Sequence, residues 1–228
     1  MNIDDNKSYK DFNDLDQNLL EPVDYWILSR LHRTIHDVNS YLKDYKLNEA
    51  VKTIYTFVWK DYCDWYIEFA KSRIYSLDNS KVDTVIVVAR HILENILKLL
   101  HPYTPFITEE IWSYFHYNEK DFLVTSQWPK KDNGFINNSI ESEVNFIMKI
   151  ISNIRNLKSD LNISPKKVIK LVCRGLDNKT SIVIDNQTHL KSLVKVENIE
   201  CSEEVEKPDK SATIVVNDVE FFIPLVGL

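Results

Sequence analysis

The sequence predicts a mainly α protein, an antiparallel helix bundle followed by a small α+β C-terminal subdomain, and three observations lead there. Apolar residues recur at helical spacing through most of the chain up to Leu161. The stretch from Phe57 to Arg73 holds more large rings than a solvent-facing helix needs, which suits a helix packed inside a bundle. Past Pro165 the apolar period shortens to that of strands.

Residues 1–21 are polar with scattered Phe12, Leu15, Leu19 and Leu20, a linker or strap ahead of a bundle assigned to residues 22–133. Pro22 and Asp24 signal a helix start with Asp24 as its N-cap, and apolar residues at 27, 28, 31, 35, 38, 42 and 45 carry it to about Tyr45. The short Lys46-Leu47-Asn48 connection calls for an antiparallel neighbour, a long central helix reaching about Tyr75. Its apolar positions 51, 54, 58, 62, 65 and 69 make one face, with Trp65 expected in the core. Tyr55, Trp59 and Tyr66 form a second apolar stripe beside it.

Asp78 to Lys81 reads as a turn, and Asp83 caps a third helix with Ile86, Ala89, Leu93, Ile96 and Leu100 on one face, stopping at His101-Pro102. Thr104-Pro105 opens a fourth helix through Ile107, Ile111, Trp112 and Phe115. Leu123 to Trp128 is an extended tail, and 130–138 with its Gly134 is the boundary. The second region, 139–228, opens with a helix from Ile140 to Leu161. Strands are expected at 168–173, 196–200, 212–216 and 219–224, with one helix from about Lys179 to Leu190.

At 228 residues and 44% hydrophobic content the chain can bury a core. No apolar run is long enough to span a membrane and the N-terminus is acidic and polar, so a cytoplasmic protein with no membrane partner is expected. Cys63, Cys173 and Cys201 are odd in number and never paired as C-x-x-C, so neither a disulfide framework nor a zinc site is expected. The only glycines are Gly134, Gly175 and Gly227, too few for a loop that cradles phosphates. His32 and His36 have the spacing of two metal ligands, but Arg33 follows His32 where a catalytic Glu would stand and no third ligand is evident; they read as surface histidines, with no metal. His101 reads as a helix-end cap, Cys63 as a packing residue, and Glu109 and Glu110 as partners of a helix dipole, so no catalytic residue is assigned.

The net charge of −6 excludes a wholesale basic nucleic-acid binder and leaves local positive patches. One lies between Ser139 and Gly175, with seven basic residues against three acidic. Another is on the first helix, where Trp26, Arg30 and Arg33 share a stripe at i, i+4 and i+7, nearly opposite the core face if Trp26 points outward. A ring and two guanidinium groups suit unstacked bases and phosphates. The alternative is that Arg33 pairs with Asp37 and Trp26 staples the strap through Phe12 or Leu15.

Five blocks then stand together: Asp24-Tyr-Trp-Ile-Leu-Ser-Arg-Leu31, Phe57-Val-Trp-Lys-Asp-Tyr-Cys-Asp-Trp-Tyr66, Leu100-His-Pro-Tyr-Thr-Pro-Phe-Ile-Thr-Glu-Glu-Ile-Trp112, Trp128-Pro129 and Ile154-Arg-Asn-Leu-Lys-Ser-Asp-Leu-Asn-Ile-Ser-Pro165. From about residue 22 to the end the chain resembles the anticodon-binding region of the valyl-tRNA synthetase family, class I enzymes. The isoleucyl and leucyl relatives share the bundle, but the Cys-Asp-Trp-Tyr and Ile-Arg-Asn-Leu blocks resemble the valyl pattern. Two departures touch the RNA contacts: Tyr25 and Lys158 stand where the family commonly has Arg.

The resemblance implies a role in reading the anticodon stem-loop of tRNA(Val). Trp26, Arg30 and Arg33 are the candidates for bases, and Arg90, Arg155 and Lys158 for backbone. The expected partners are that RNA and the catalytic domain of the same polypeptide, in a monomer. ATP and Mg belong to the full-length enzyme, which activates valine, transfers it and edits mischarged threonine; no cofactor is expected in this stretch. The nucleotide-binding and editing domains have no counterpart here, so the chain is expected to be an excised portion. A free-standing helical RNA-binding or adaptor module, or the same region of an isoleucyl or leucyl relative, is the alternative.

Overall fold

The computed structural model describes residues 11–75, 79–114 and 121–225. The chain divides into two compact units, residues 1–138 and 139–228. In the first, α1 (Pro22–Lys43), α2 (Leu47–Thr56), a π-helical segment (Phe57–Tyr66), α3 (Ile67–Ile74), α4 (Asn79–Leu100) and α5 (Pro105–Ser113) build the bundle. Short 3-10 turns at Phe12–Asp14, Gln17–Leu19, Leu123–Thr125 and Asn133–Phe135 dress it. In the second, α6 (Asn138–Asp160) precedes β1 (Ile169–Arg174), α7 (Asp177–Asp185), α8 (Gln187–Val194), β2 (Val196–Ser202), β3 (Ser211–Val216) and β4 (Val219–Pro224). This is the mainly α architecture with a small C-terminal sheet that the periodicity predicts.

The axis of the bundle is α1. Val23, Trp26, Ile27, Leu28, Leu31, Ile35 and Val38 are all buried, too wide an arc for a helix with one packing partner. Its N-cap is Glu21, one residue before Pro22, and Asp24 is the third helical residue; the Asp24 carboxylate accepts the Glu21 backbone N–H at 2.9 Å. Asp24 therefore closes the first turn from inside the helix, where a cap residue was expected. Its other oxygen accepts the hydroxyl of fully buried Tyr66 at 2.9 Å, and Arg73 donates to the carboxylate at 2.6 Å. Burial, then the Asp24 charge, holds the Tyr66 phenol well above its usual pKa, so it stays a donor.

The helix from α2 to α3 departs from the spacing expected of it. Ala50, Ile54 and Phe57 are buried, then Tyr62, Tyr66, Phe69 and Ala70. The step of five between Phe57 and Tyr62 is the signature of i to i+5 hydrogen bonding, which rotates everything beyond it relative to an α-helical face. Trp65 is accordingly half-buried, stacked on Phe69 at 5.8 Å, and the core rings are Phe57, Tyr62, Tyr66 and Phe69.

The other differences are local. The first helix ends at Lys43, and Tyr45 is exposed in a left-handed conformation (φ 58°). The third helix begins at Asn79, ahead of Asp83; the turn proposed from Asp78 and the helical Phe115 lie partly or wholly outside the described residues. His32 is buried, stacked on Phe135 at 5.0 Å, with Nδ1 accepting the Asp132 N–H at 3.1 Å, whereas His36 is exposed. His32 is thus a packing residue rather than a surface one. Among the described residues, no group of three or more His, Cys, Asp or Glu is placed to hold a metal ion, and no helix is long and apolar enough to cross a membrane.

In the second unit the sheet order is β2-β1-β4-β3, with β1 and β2 parallel and the other pairs antiparallel. The parallel pair needs a crossover, supplied by α7 and α8; the break at Asn186 splits the single helix expected there. The central strand β4 is buried along Phe221, Phe222 and Ile223, and Phe221 meets Phe146 of α6 at 6.5 Å between ring centres. Cys173 and Cys201, expected to be free thiols, are register partners across β1 and β2 and form a disulfide. A separation of 28 residues conceals the pairing, because only the parallel register brings the two together.

The strap over α1 and α4 gives the first unit a pH dependence. Phe12 stacks on His91 at 3.9 Å, and burial lowers the His91 pKa from 6.5 to about 4, with His32 and Lys98 adding to the effect and Asp11 opposing it. A depressed histidine stabilises the fold fully above the unfolded value and loses that contribution as pH falls from about 6.5 to about 4. We expect on the order of 3 kcal/mol to be lost across this window, and His91→Phe to flatten the slope in urea titrations at stepped pH. A slope unchanged by the substitution would contradict the assignment.

Candidate nucleic-acid interface

The six basic and aromatic candidates fall into three structural classes. Trp26 is 1% exposed and lies in the core of the bundle, so it is not on an outward stripe with Arg30 and Arg33. The stripe assumes a single core face, but α1 is packed around most of its circumference; between Val23 and Ile35, Tyr25, Arg30 and Arg33 are half-exposed, and His36 and Asp37 beyond them are exposed. Lys158 is 4% exposed; its ammonium donates to the carbonyls of Lys167 at 2.7 Å and Val194 at 2.8 Å, with Pro165 at 3.5 Å. Burial, then the nearby Lys195 charge, lowers its pKa. It is tied into the protein and presents no free donor face.

Arg30, Arg33 and Arg90 are half-buried and engaged. Arg30 Nε donates to Asp61 of the π-helical segment at 2.9 Å, Arg33 Nη2 donates to the Asn138 side chain, and Arg90 Nε donates to Glu94 one turn away at 2.8 Å. Arg155 is exposed, its Nη2 3.5 Å from the Leu193 carbonyl.

Tyr45, Tyr75, Phe106, Tyr114 and Phe122 are exposed singly, whereas Tyr55 and Trp59 are exposed as a pair. Tyr55 is 61% and Trp59 52% exposed, one turn apart with ring centres 6.1 Å apart and planes at 54°. Lys52 and Lys60 are exposed beside them in sequence. Tyr55, Trp59 and Tyr66 share one stripe on an α-helix; the π-helical turns carry Tyr66 into the core and leave the first two in solvent. Exposed paired rings provide stacking faces for unpaired bases, with Lys52 and Lys60 interspersed among the acidic Glu49, Asp61 and Asp64. Composition alone holds a hint of this, since Lys52, Lys60 and Asp64 interrupt the ring-rich run.

On α5 the chemistry differs. Phe106 and Ile107 are exposed, and the Glu109 carboxylate accepts the N–H groups of Leu123 at 2.7 Å and Val124 at 3.3 Å, clamping the following 3-10 turn. His101 Nδ1 lies 2.9 Å from the Thr108 hydroxyl, closing the loop between α4 and α5.

Residues 24–173 match the family described as the anticodon-binding domain of tRNA ligase. Similar curated proteins are the valine--tRNA ligases of Desulfotalea psychrophila, 37% identical over 204 residues, Oceanobacillus iheyensis, 35% over 222, and Legionella pneumophila strain Lens, 38% over 214. These alignments cover 89%, 97% and 91% of this chain but 23%, 25% and 23% of the relatives, so the chain spans about a quarter of their length.

The placement of the indoles is open to a direct check. Trp59→Phe should remove the largest single share of iodide-quenchable tryptophan emission, and Trp26→Phe should leave the quenchable fraction unchanged. Equal losses from the two substitutions would contradict the π-helical phase.

Proposed function

The chain belongs to the anticodon-binding-domain family of tRNA ligases, and from that premise we propose that it is the anticodon-recognition region of a valine--tRNA ligase. The observation that carries the reading is the exposed Tyr55 and Trp59 pair on a helix whose other face packs rings into the core, in a chain whose relatives are valine--tRNA ligases.

In this reading Tyr55 and Trp59 stack unpaired bases of the tRNA(Val) loop. Arg30, held by Asp61, and Arg33, held by Asn138, are half-exposed and direct guanidinium charge toward base edges or phosphates. Arg90 and Arg155 are backbone contacts. Trp26 and Lys158 act through the fold, by filling the core of the bundle and by tying carbonyls together. ATP, Mg and the valine-activating chemistry belong to the rest of such a ligase, with the present chain as its cytoplasmic RNA-reading part. The exposed Phe106 and Ile107 on α5, beside carboxylates that would repel phosphates, suit contact with protein such as the catalytic domain.

The test is binding of the whole chain to two hairpins, one with the valine anticodon loop and one with its middle adenine changed. We expect the first to bind more tightly. Trp59→Ala should weaken it by about fivefold to a hundredfold, the usual worth of one stacked base, and Arg30→Ala should narrow the preference. Equal affinity for both hairpins, or a Trp59→Ala variant that binds like the parent, would overturn the reading.

A further inference from the structure

We propose that the second unit carries a site for the phosphodiester backbone of RNA, formed by Arg155, Lys166, Lys167 and Lys195 around the buried ammonium of Lys158. The last turns of α6 and the turn that follows them toward β1 meet there with the end of α8, 36 residues on from Lys158. Lys158 joins them, since its Nζ donates to Lys167 O and Val194 O at 2.7 and 2.8 Å.

The end of α8 would ordinarily present a negative pole of unpaired carbonyls. Here each is taken. Leu193 O faces Arg155 Nη2 at 3.5 Å, Val194 O accepts Lys158 Nζ, and Lys195 O accepts the Ile169 N–H at 2.9 Å. With those carbonyls engaged, the exposed cations around them face less opposing partial charge. Lys166, Lys167 and Lys195 are exposed, and among the described residues no carboxylate pairs with any of them. The acids nearest these three in sequence are Asp160 and Glu197, so three exposed lysines stand against two carboxylates.

Lys195 adds an independent observation. It caps α8 in the left-handed conformation, φ 57° and ψ 54°, a position where glycine or asparagine is usual and a long side chain is strained. A lysine held there keeps a positive charge at the helix end. The nearby exposed apolar side chains, Leu161 and Val168, are aliphatic and give bases no ring to stack on, so the contact is to backbone. RNA is chosen as the polyanion because of the function proposed above; the cation cluster itself does not depend on that reading.

The experiment measures affinity of the full chain for the two hairpins above at low and moderate salt, for the parent, for a Lys166→Glu, Lys167→Glu, Lys195→Glu triple variant, and for Lys195→Gly. The triple variant should bind both hairpins at least about tenfold more weakly and lower the salt slope by about two, leaving any preference between them intact. Lys195→Gly should be at least as stable as the parent, since it relieves the strained φ, yet bind both hairpins more weakly; this separates lost charge from lost fold. A triple variant with unchanged affinity and slope, beside a parent that prefers the valine loop, overturns the phosphate site and leaves the anticodon reading standing. A parent without preference, whose binding the triple variant abolishes, does the reverse. Binding of the parent to vesicles containing anionic phospholipid, with no binding to either hairpin, would overturn the site as an RNA surface.

Discussion

The buried carboxylate of Asp24 is the constraint on which the first unit depends. An isolated carboxylate in a protein interior is costly, and here it is satisfied by the Tyr66 hydroxyl, the Arg73 guanidinium and the Glu21 backbone N–H. Those partners come from the start of α1, the end of the π-helical segment and α3. Satisfying the charge therefore fixes the rotation of the long second helix against the first. Glu21, 3.3 Å from Arg73, extends the cluster to the rim, where it meets solvent.

That rotation has consequences at the opposite face. Tyr66 can reach Asp24 only because the π-helical turns advance the phase between Phe57 and Tyr66, and the same advance leaves Tyr55 and Trp59 outside. A polar requirement in the core thus determines which rings the surface displays. The Arg30 to Asp61 ion pair links α1 to the middle of the same segment, so the proposed reading surface and the core network share their supports. π-helical turns recur at functional positions in helices, consistent with this coupling of interior and surface.

Most of the architecture was legible in residue spacing, and the failures have physical causes. Helix starts at Pro22 and Pro105 and the strands from Ile169 to Pro224 follow from proline placement and from the change of period. A fixed 3.6-residue repeat cannot register a π-helical turn, so Tyr66 was placed on the stripe of Trp59 and Trp65 in the core. Trp26 was judged from one face of a helix that is enclosed on several. Arg155 and Lys158 were visible as charge, but spacing carries no information on whether a lysine reaches solvent or three carbonyls. The disulfide depended on a register between strands 28 residues apart, which no local pattern encodes.

The claim at the centre of this account is that the Asp24 and Arg73 pair holds the bundle in register. A double-mutant cycle with Asp24→Asn and Arg73→Met, followed by urea unfolding monitored by far-UV circular dichroism, measures it directly. A coupling energy of about 2 kcal/mol or more is predicted, since either single change strands a buried polar partner and the second then costs little. Additive effects, with coupling below about 0.5 kcal/mol, would contradict the account and assign the register to apolar packing alone.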